Sequence, residues 1–412
     1  MHQTENRGHM GDTGEIDHDA VMRARVMLLG SDRPSSREEI EAYRILAEVS
    51  PRVYLPKLAH ALIKRGWELR DPEVHVALHA EALDVVRRYD AETPDREEEL
   101  HRALNRYQHS LFAAGRRAEG RAVCEELAEA GRYGRLAIVL AEEGCHAEAA
   151  ELYDRHIVPG PADPSEWTLI EWAAELDAAG RREEALEVFG RLVDEDRRKV
   201  AEDRAPLACM VWKLEQYARM LRAAGRREEE AGARRETLAL LTRLARDGEP
   251  VSWSNIQACW STLLVLSGRS AEPAATPDAP LPAFGVHLVH GWSPDVREEY
   301  FASIPALERR TAALRESDDL HGLVVAHRRL TVRRALQWES YGRRDEDALR
   351  PVFDEGVILA RRLTGDDPGA LARALTDRAM FLVAVQRYGE ALADFAEATG
   401  LQSDPPPIVT RT

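Results

Sequence analysis

The 412-residue sequence has little lysine: four of its 56 basic residues are lysine and 52 are arginine. Together with the abundant alanine and glycine, this is typical of a high-GC genome, so composition explains most of the arginine pairs. Acidic residues number 72, which gives a net charge of −16. Such a charge disfavours broad affinity for nucleic acid or for anionic membranes.

Cysteine and long apolar runs are also scarce. The four cysteines, Cys124, Cys145, Cys209 and Cys259, show no C-x-x-C spacing, which disfavours a disulfide framework or a structural zinc site. No run approaches the roughly 20 apolar residues of a membrane span, and the polar N-terminus has no signal-peptide core. We therefore expect a reduced, soluble, cytoplasmic protein.

The common catalytic motifs are missing as well. The sequence contains no G-x-x-x-x-G-K-[ST] loop, no G-x-S-x-G and no H-E-x-x-H. His75 and His79 have the i, i+4 spacing of two zinc ligands on one helix face, but they flank an apolar stripe and are expected to be boundary residues. The sequence predicts no enzyme, no cofactor and no metal, although a catalytic site of unrecognised type stays open as an alternative.

One phrase recurs: "AAGRRAEG" at 113–120, "AAGRREEAL" at 178–186 and "AAGRREEEA" at 223–231. Apolar residues repeat at helical spacing on both sides of it. Glycine ends a helix well because it accepts the left-handed conformation, and Glu183 and Glu184 suit the positive end of the next helix. The phrase predicts the corner of an antiparallel helical hairpin.

The corner repeats along the chain at irregular intervals. Its candidate residues are Gly66, Gly115, Gly144, Gly180, Gly225, Gly268, Gly342 and Gln386. Seven residues before them the chain is mostly small, and four residues before them it is almost always leucine. Self-similarity of this kind predicts an all-α solenoid of antiparallel helix pairs.

The clearest unit, "LARALTDRAMFLVAVQRYGEALADFAEATGLQSDP" at 371–405, carries a spaced set of apolar residues and a closing "DP". The spaced residues are Leu375, Ala379, Leu382, Tyr388, Ala391, Phe395 and Ala398. This unit resembles the tetratricopeptide repeat (TPR), and the unit at 166–194 matches almost as well. The long-repeat form is similar to arrays attached to bacterial STAND-type signalling ATPases, here without the ATPase. The resemblance implies a right-handed α-solenoid that binds other proteins.

Changes in composition and periodicity along the chain predict five regions. Residues 1–15 read as a disordered N-terminus, 16–268 as an N-terminal array, 269–295 as a Pro/Ala-rich linker, 296–403 as a C-terminal array and 404–412 as a tail. The first half of the linker reads as flexible. "FGVHLVHGW" (284–292) could instead dock in a neighbouring groove. Ser293 and Pro294 predict a helix start.

The resemblance also implies which side chains face the concave groove. The candidates are Arg102, Asn105, His109, Trp167, Trp212, Arg219, Arg222 and Asn255. Contact with the next repeat is the alternative for the two tryptophans, and a solvated face is the alternative for the polar residues. Trp172 and Trp260 are expected in the core.

These residues predict a non-enzymatic scaffold or sensor that binds a peptide or protein, with no direct nucleic-acid or membrane partner. The alternative is a regulatory subunit of a bacterial signalling or transcription system, which acts through a separate catalytic or DNA-binding partner.

Overall fold

The computed structural model describes residues 17–30, 34–93, 95–157, 164–252, 256–283, 291–340, 346–363, 365 and 367–403. Across these ranges the regular structure is α-helical apart from one 3₁₀ turn at Arg269–Ala271, and no β-strand is present. The predicted all-α class of antiparallel helix pairs is therefore confirmed. The predicted disordered N-terminus and the tail lie outside the described residues.

The chain forms two compact units, residues 1–127 and residues 128–412. The helices of the first unit are α1 (His18–Leu29), α2 (Ser36–Val49), α3 (Pro51–Glu68), α4 (Pro72–Arg87), α5 (Arg96–Ala113) and α6 (Arg117–Glu129), whose last residues pass the boundary. Their facing sides bury an aliphatic core that includes Leu55, Leu62, Val76, Leu104 and Leu111.

The second unit holds thirteen described helices. They are α7 (Gly134–Glu142), α8 (His146–Ile157), α9 (Glu166–Ala178), α10 (Arg182–Ala201), α11 (Leu207–Ala223), α12 (Arg227–Asp247), α13 (Ile256–Gly268), α14 (Pro294–Ala302), α15 (Ile304–Glu316), α16 (Leu320–Ser340), α17 (Glu346–Arg362), α18 (Pro368–Ala384) and α19 (Tyr388–Ser403).

Five of the predicted corners are left-handed helix ends. Gly115, Gly144, Gly180, Gly225 and Gln386 have φ between 63° and 82°. At each one the next N–H bonds to the carbonyl five residues back, as in the 2.9 Å bond from Arg181 N to Leu176 O. This is the Schellman closure of a helix, and the leucine that recurs four residues before the corner is the acceptor.

The arginine after the corner pairs with a glutamate of the helix that follows. Arg181 lies in the turn, but its guanidinium makes a two-pronged bond to Glu184, at 2.7 Å and 2.5 Å. Arg116 pairs in the same way with Glu119, and Arg226 with Glu229. The repeated "GRRxE" motif thus links each turn to the helix that follows it by an arginine–glutamate ion pair.

Two of the predicted corners differ in the structure, and Gly342 lies outside the described residues. Gly66 is buried inside α3, where a Cβ would lie 3.0 Å from Nε2 of His79. Gly268 has φ −80° and leads into the 3₁₀ turn. The missing side chain at Gly66 allows close packing against His79. The predicted corner at Gly66 is therefore wrong.

The C-terminal helices pack back on the middle of the chain, so the units differ from the predicted arrays. α19 contacts α12, and α13 contacts both α16 and α18. Trp260 of α13 is buried, as expected, with its ring 5.9 Å from that of Phe381. Phe381 stacks on Phe353 at 4.6 Å. This shared aromatic core places residues 128–268 and 296–403 in one unit.

The described part of the predicted linker, 269–283, is packed. The side chain of Glu272 is 9% exposed and pairs with Arg329 and Arg333 of α16, each at 2.9 Å. Leu281 N donates to Glu142 O at 2.9 Å, and Ala275 lies directly over Gly144. A flexible linker over this stretch is therefore wrong, because ion pairs and backbone contacts hold it. Residues 284–290 of the docking hypothesis lie outside the described residues.

The helix start at Pro294 is confirmed, with a correction to its cap. Ser293 occupies the N-cap position, but its side chain caps no helix N–H. Its hydroxyl instead donates to Glu142 at 2.5 Å, and its backbone N–H donates to the same carboxylate at 2.7 Å. Glu142 of α7 thus anchors the entry to α14.

An arginine-lined cavity as the candidate functional site

A cavity of about 480 Å³ opens within the second unit. Side chains of α9, α11, α12, α13, α16, α18 and α19 and of the 3₁₀ turn surround it. Its lining includes Ala174, Asp177, Ala178, Glu215, Gln216, Arg219, Met220, Arg222, Ala223, Arg234, Leu266, Ser267, Arg269, Ser270, Arg328, Gly369, Arg373, Thr376 and Gln402. Six of these residues are arginines, and we call the site the arginine cavity.

Helix α11 supplies one wall because of its residue spacing. Glu215, Arg219 and Arg222 follow one another at four and three residues, so they share a helix face. Arg219 Nε donates to Glu215 at 3.0 Å. Arg222 Nη2 reaches across the cavity to Oε1 of Gln402 on α19, at 2.7 Å.

A buried aspartate fixes two of the arginines from behind. Asp377 of α18 accepts from Arg328 Nε at 2.7 Å and from Arg219 Nη2 at 3.3 Å. Burial alone would raise the pKa of Asp377, but the two guanidiniums outweigh it and hold that pKa below its ordinary value. The carboxylate is ionised at neutral pH, and it does not line the arginine cavity itself.

A second buried carboxylate, that of Glu230 on α12, also holds two of the arginines. Glu230 accepts from Arg222 Nε at 2.6 Å and from Arg234 Nε at 3.1 Å. Burial acts to raise the pKa of Glu230, yet the bonds from Arg222 and Arg234 lower it overall. Arg234 also lies 3.5 Å from Glu215, so the acids and arginines of α11 and α12 form one network.

The remaining two arginines lie on other walls. Arg269 packs against the ring of His146, with Nη2 2.9 Å from Nδ1. Burial lowers the pKa of Arg269, although Glu175 and Asp177 oppose that shift. Arg373 pairs with Asp367 at 2.9 Å, and its side chain is 53% exposed. It is the most accessible guanidinium of the six.

The structure distributes the predicted groove residues over both units. In the second unit Arg219 and Arg222 line the arginine cavity. Trp212 is buried, and its indole donates to Met380 O at 3.1 Å, because α18 covers the face expected to be open. Trp167 is half-buried on α9 and is not among the lining residues. Asn255 lies outside the described residues.

In the first unit the three predicted residues share the exposed face of α5. Arg102, Asn105 and His109 are all exposed. Arg102 donates to Glu99 at 2.9 Å, and the carbonyl of Asn105 accepts from Gln108. Their role in partner binding stays a prediction.

Sequence reasoning missed four arginines of the cavity: Arg234, Arg269, Arg328 and Arg373. Local sequence carries no signal for them, because arginine is the default base of this chain. Arg328 and Arg373 join the cavity only through the return of α16 and α18 to α11, which links residues as far apart as Arg219 and Asp377.

The histidine pair weighed as a metal site is engaged in hydrogen bonds. His75 Nε2 lies 2.9 Å from Leu69 O, and His79 Nδ1 lies 2.6 Å from Ser110 Oγ. Burial lowers the pKa of His79 to about 4, with His75 and Arg106 adding to the shift. Over the described ranges, no cluster of three or more His, Cys, Asp or Glu side chains is arranged to hold a metal ion.

Comparisons with known proteins leave the family unassigned. No family model matches the sequence, and no curated protein matches it. Among solved structures, one chain of the structure titled "Structure of Naa15/Naa10 bound to HypK-THB" is similar at 13% identity and a TM-score of 0.24. The match covers 94% of this chain but only 64% of that chain. Among the described helices, none has the length and apolar character needed to span a bilayer.

Proposed function

We propose that this protein is a non-enzymatic helical-repeat scaffold or sensor that binds a peptide or protein segment in the arginine cavity. The observation that carries the proposal is the cavity itself: an open space of about 480 Å³ whose wall includes the predicted groove residues Arg219 and Arg222. The resemblance to bacterial STAND-associated arrays supports a role for such a scaffold in a signalling system, and a cytoplasmic location is part of the same proposal.

The chemistry of the lining favours binding. Two carboxylates line the cavity, Asp177 and Glu215. Glu215 accepts a hydrogen bond from Arg219 and lies in an ion pair with Arg234, which engages that carboxylate as a structural partner. Apolar side chains such as Met220 and Leu266 line the cavity together with the polar ones. Ligand sites are typically such concave surfaces, with a few placed polar groups.

A display selection tests the proposal. A random peptide library is panned against three forms of the whole chain: the natural protein, a cavity variant (Arg222→Gln with Arg373→Gln) and an α17 control variant (Arg350→Gln with Arg361→Gln). The control is matched, because the side chains of Arg222 and Arg350 are each 34% exposed and those of Arg373 and Arg361 are 53% and 54% exposed. Circular dichroism verifies that all three keep their helices.

We expect peptides that the natural chain and the control variant enrich equally and that the cavity variant fails to enrich. Enriched peptides that bind the cavity variant equally well would move the binding site elsewhere. No enrichment by the natural chain would argue against peptide binding altogether.

A further inference from the structure

We propose that the arginine cavity recognises an acidic peptide segment, through carboxylate side chains that bind its guanidiniums; this rests on the peptide-binding function proposed above. A guanidinium carries five N–H donors and no acceptor. Asp377 and Glu230 accept from some of the donors of the arginines they touch. Glu215, Gln402 and Ser267 accept from others, which still leaves fewer bonds than the five donors of each guanidinium allow. The cavity therefore has more donors than its own acids can satisfy.

Two of the acids orient the arginines from outside the cavity, while Asp177 and Glu215 belong to its lining. Asp377 and Glu230 are both buried and lie outside the cavity lining. Each holds two lining guanidiniums, Asp377 those of Arg219 and Arg328, and Glu230 those of Arg222 and Arg234. Fixing these side chains before binding reduces the entropy that an anionic ligand would otherwise have to overcome. Arginine and carboxylate also match as two-pronged partners.

The rest of the lining favours a peptide over a nucleotide. None of the described lining residues is aromatic, so these residues offer no ring on which a base could stack. Small aliphatic side chains, Ala174, Ala178 and Ala223, leave room for a backbone. Gln216 and Gln402 can both donate to and accept from peptide groups.

The local charge runs against the charge of the whole chain. A molecule with a net charge of −16 repels an acidic ligand at long range, yet in this one cavity six arginines face only two lining acids, Asp177 and Glu215. Salt screens exposed charges over a Debye length of about 8 Å at physiological ionic strength. Binding in the cavity must then come from close contacts, and it will weaken as salt rises.

Fluorescence anisotropy with two labelled probes tests the inference. The probes are N-acetylated, C-amidated hexaglutamate and the hexaglutamine of equal length. Each is titrated with the natural chain, the cavity variant and the α17 control variant. We expect the natural chain and the control to bind hexaglutamate at least about tenfold more tightly than hexaglutamine, and the cavity variant to lose that difference, as charge-assisted bonds require.

Three results would overturn the acidic-segment inference. They are equal affinity for the two probes, an equal loss in the α17 control variant, and displacement of hexaglutamate by inorganic phosphate at equimolar concentration, which would mark a general anion pocket. The natural chain could fail to bind hexaglutamate while the cavity variant still loses the neutral peptides found in the display selection. In that case peptide binding in the cavity stands and only the acidic class of peptide is wrong. If the selected peptides also ignore the cavity, both proposals fail.

Discussion

Lys213 is one of four lysines in a chain with 52 arginines, and it is buried. Its ammonium lies 2.5 Å from Asp196 and 2.6 Å from Glu166. Burial raises the pKa of Asp196 although Lys213 opposes that shift. A compact ammonium can enter the narrow space between two carboxylates, whereas a planar guanidinium needs a wider one. Packing thus explains this exception to the arginine-rich composition.

Glu171 is a second residue whose environment differs from that of the surface acids. Burial, with a contribution from Glu175, raises the pKa of Glu171 from its ordinary 4.5 to about 8, although the bond from Tyr153 opposes the shift. The folded chain therefore holds this proton more tightly than the unfolded chain. The contribution of Glu171 to the free energy of unfolding falls as pH rises from about 4.5 to about 8.

We expect Glu171→Gln to raise the free energy of unfolding by about 1–3 kcal/mol at about pH 8.5, because a neutral amide avoids the buried charge and still accepts from Tyr153. The gain should shrink toward zero near pH 4. Urea unfolding at the two pH values measures it, and Glu187→Gln on an exposed turn of α10 controls for the lost charge. A gain that does not depend on pH would contradict the raised pKa.

At the scale of the element, the helix corners were predictable and the packing around them was not. Gly115, Gly144, Gly180 and Gly225 are local signals, because the left-handed residue and its acceptor leucine lie within five residues of each other. Gly66 also has a leucine four residues before it, but it lies inside α3, where the missing side chain makes room for the ring of His79 on the next helix. At Gly66, packing against a residue of the next helix therefore outweighs the local sequence pattern.

Gly144 and Gly180 form a matched pair that separates backbone strain from crowding. Both have positive φ, at 75° and 82°. A Cβ at Gly180 would meet no atom within 4 Å, whereas one at Gly144 would collide with the carbonyl oxygen of Ala275. We expect Gly180→Ala to cost about 1 kcal/mol and Gly144→Ala about 2 kcal/mol more, since the 269–283 segment must shift.

Chemical denaturation gives both values, and hydrogen exchange reports the segment directly. In Gly144→Ala the amide of Leu281, which donates to Glu142 O, should lose protection. Equal costs for the two substitutions would mean that the segment does not press on the corner.

For the whole molecule, the sequence predicts the fold class and misses the arginine cavity. Periodicity and corner spacing are sufficient to predict antiparallel helix pairs. The cavity depends on pairs such as Arg222 with Gln402, 180 residues apart, and no local pattern encodes such a meeting. The predicted linker was misassigned for the same reason, since Glu272 is held by Arg329 and Arg333 of a later helix.

Trp260 tests whether the second unit is one cooperative body. We expect Trp260→Ala to lower the free energy of unfolding by about 3–5 kcal/mol, because it leaves a cavity among Trp338, Phe353 and Phe381. Hydrogen exchange should quicken in α11 and in α18 together. Trp67→Ala is the control, since Trp67 is 69% exposed, and it should cost under about 1 kcal/mol. If exchange quickens only in α13 and α16–α18, the second unit does not unfold as one cooperative body, and these helices unfold separately from α11.

The return of the C-terminal helices also sets when the cavity can exist. Its walls come from residues as early as Ala174 and as late as Gln402, so a chain emerging from the ribosome cannot enclose a ligand until α19 is free to pack. A ligand that binds only the completed wall stabilises the last step of assembly. Occupancy of the arginine cavity would then report that α19 has packed, since a chain interrupted before Gln402 would lack this part of the wall.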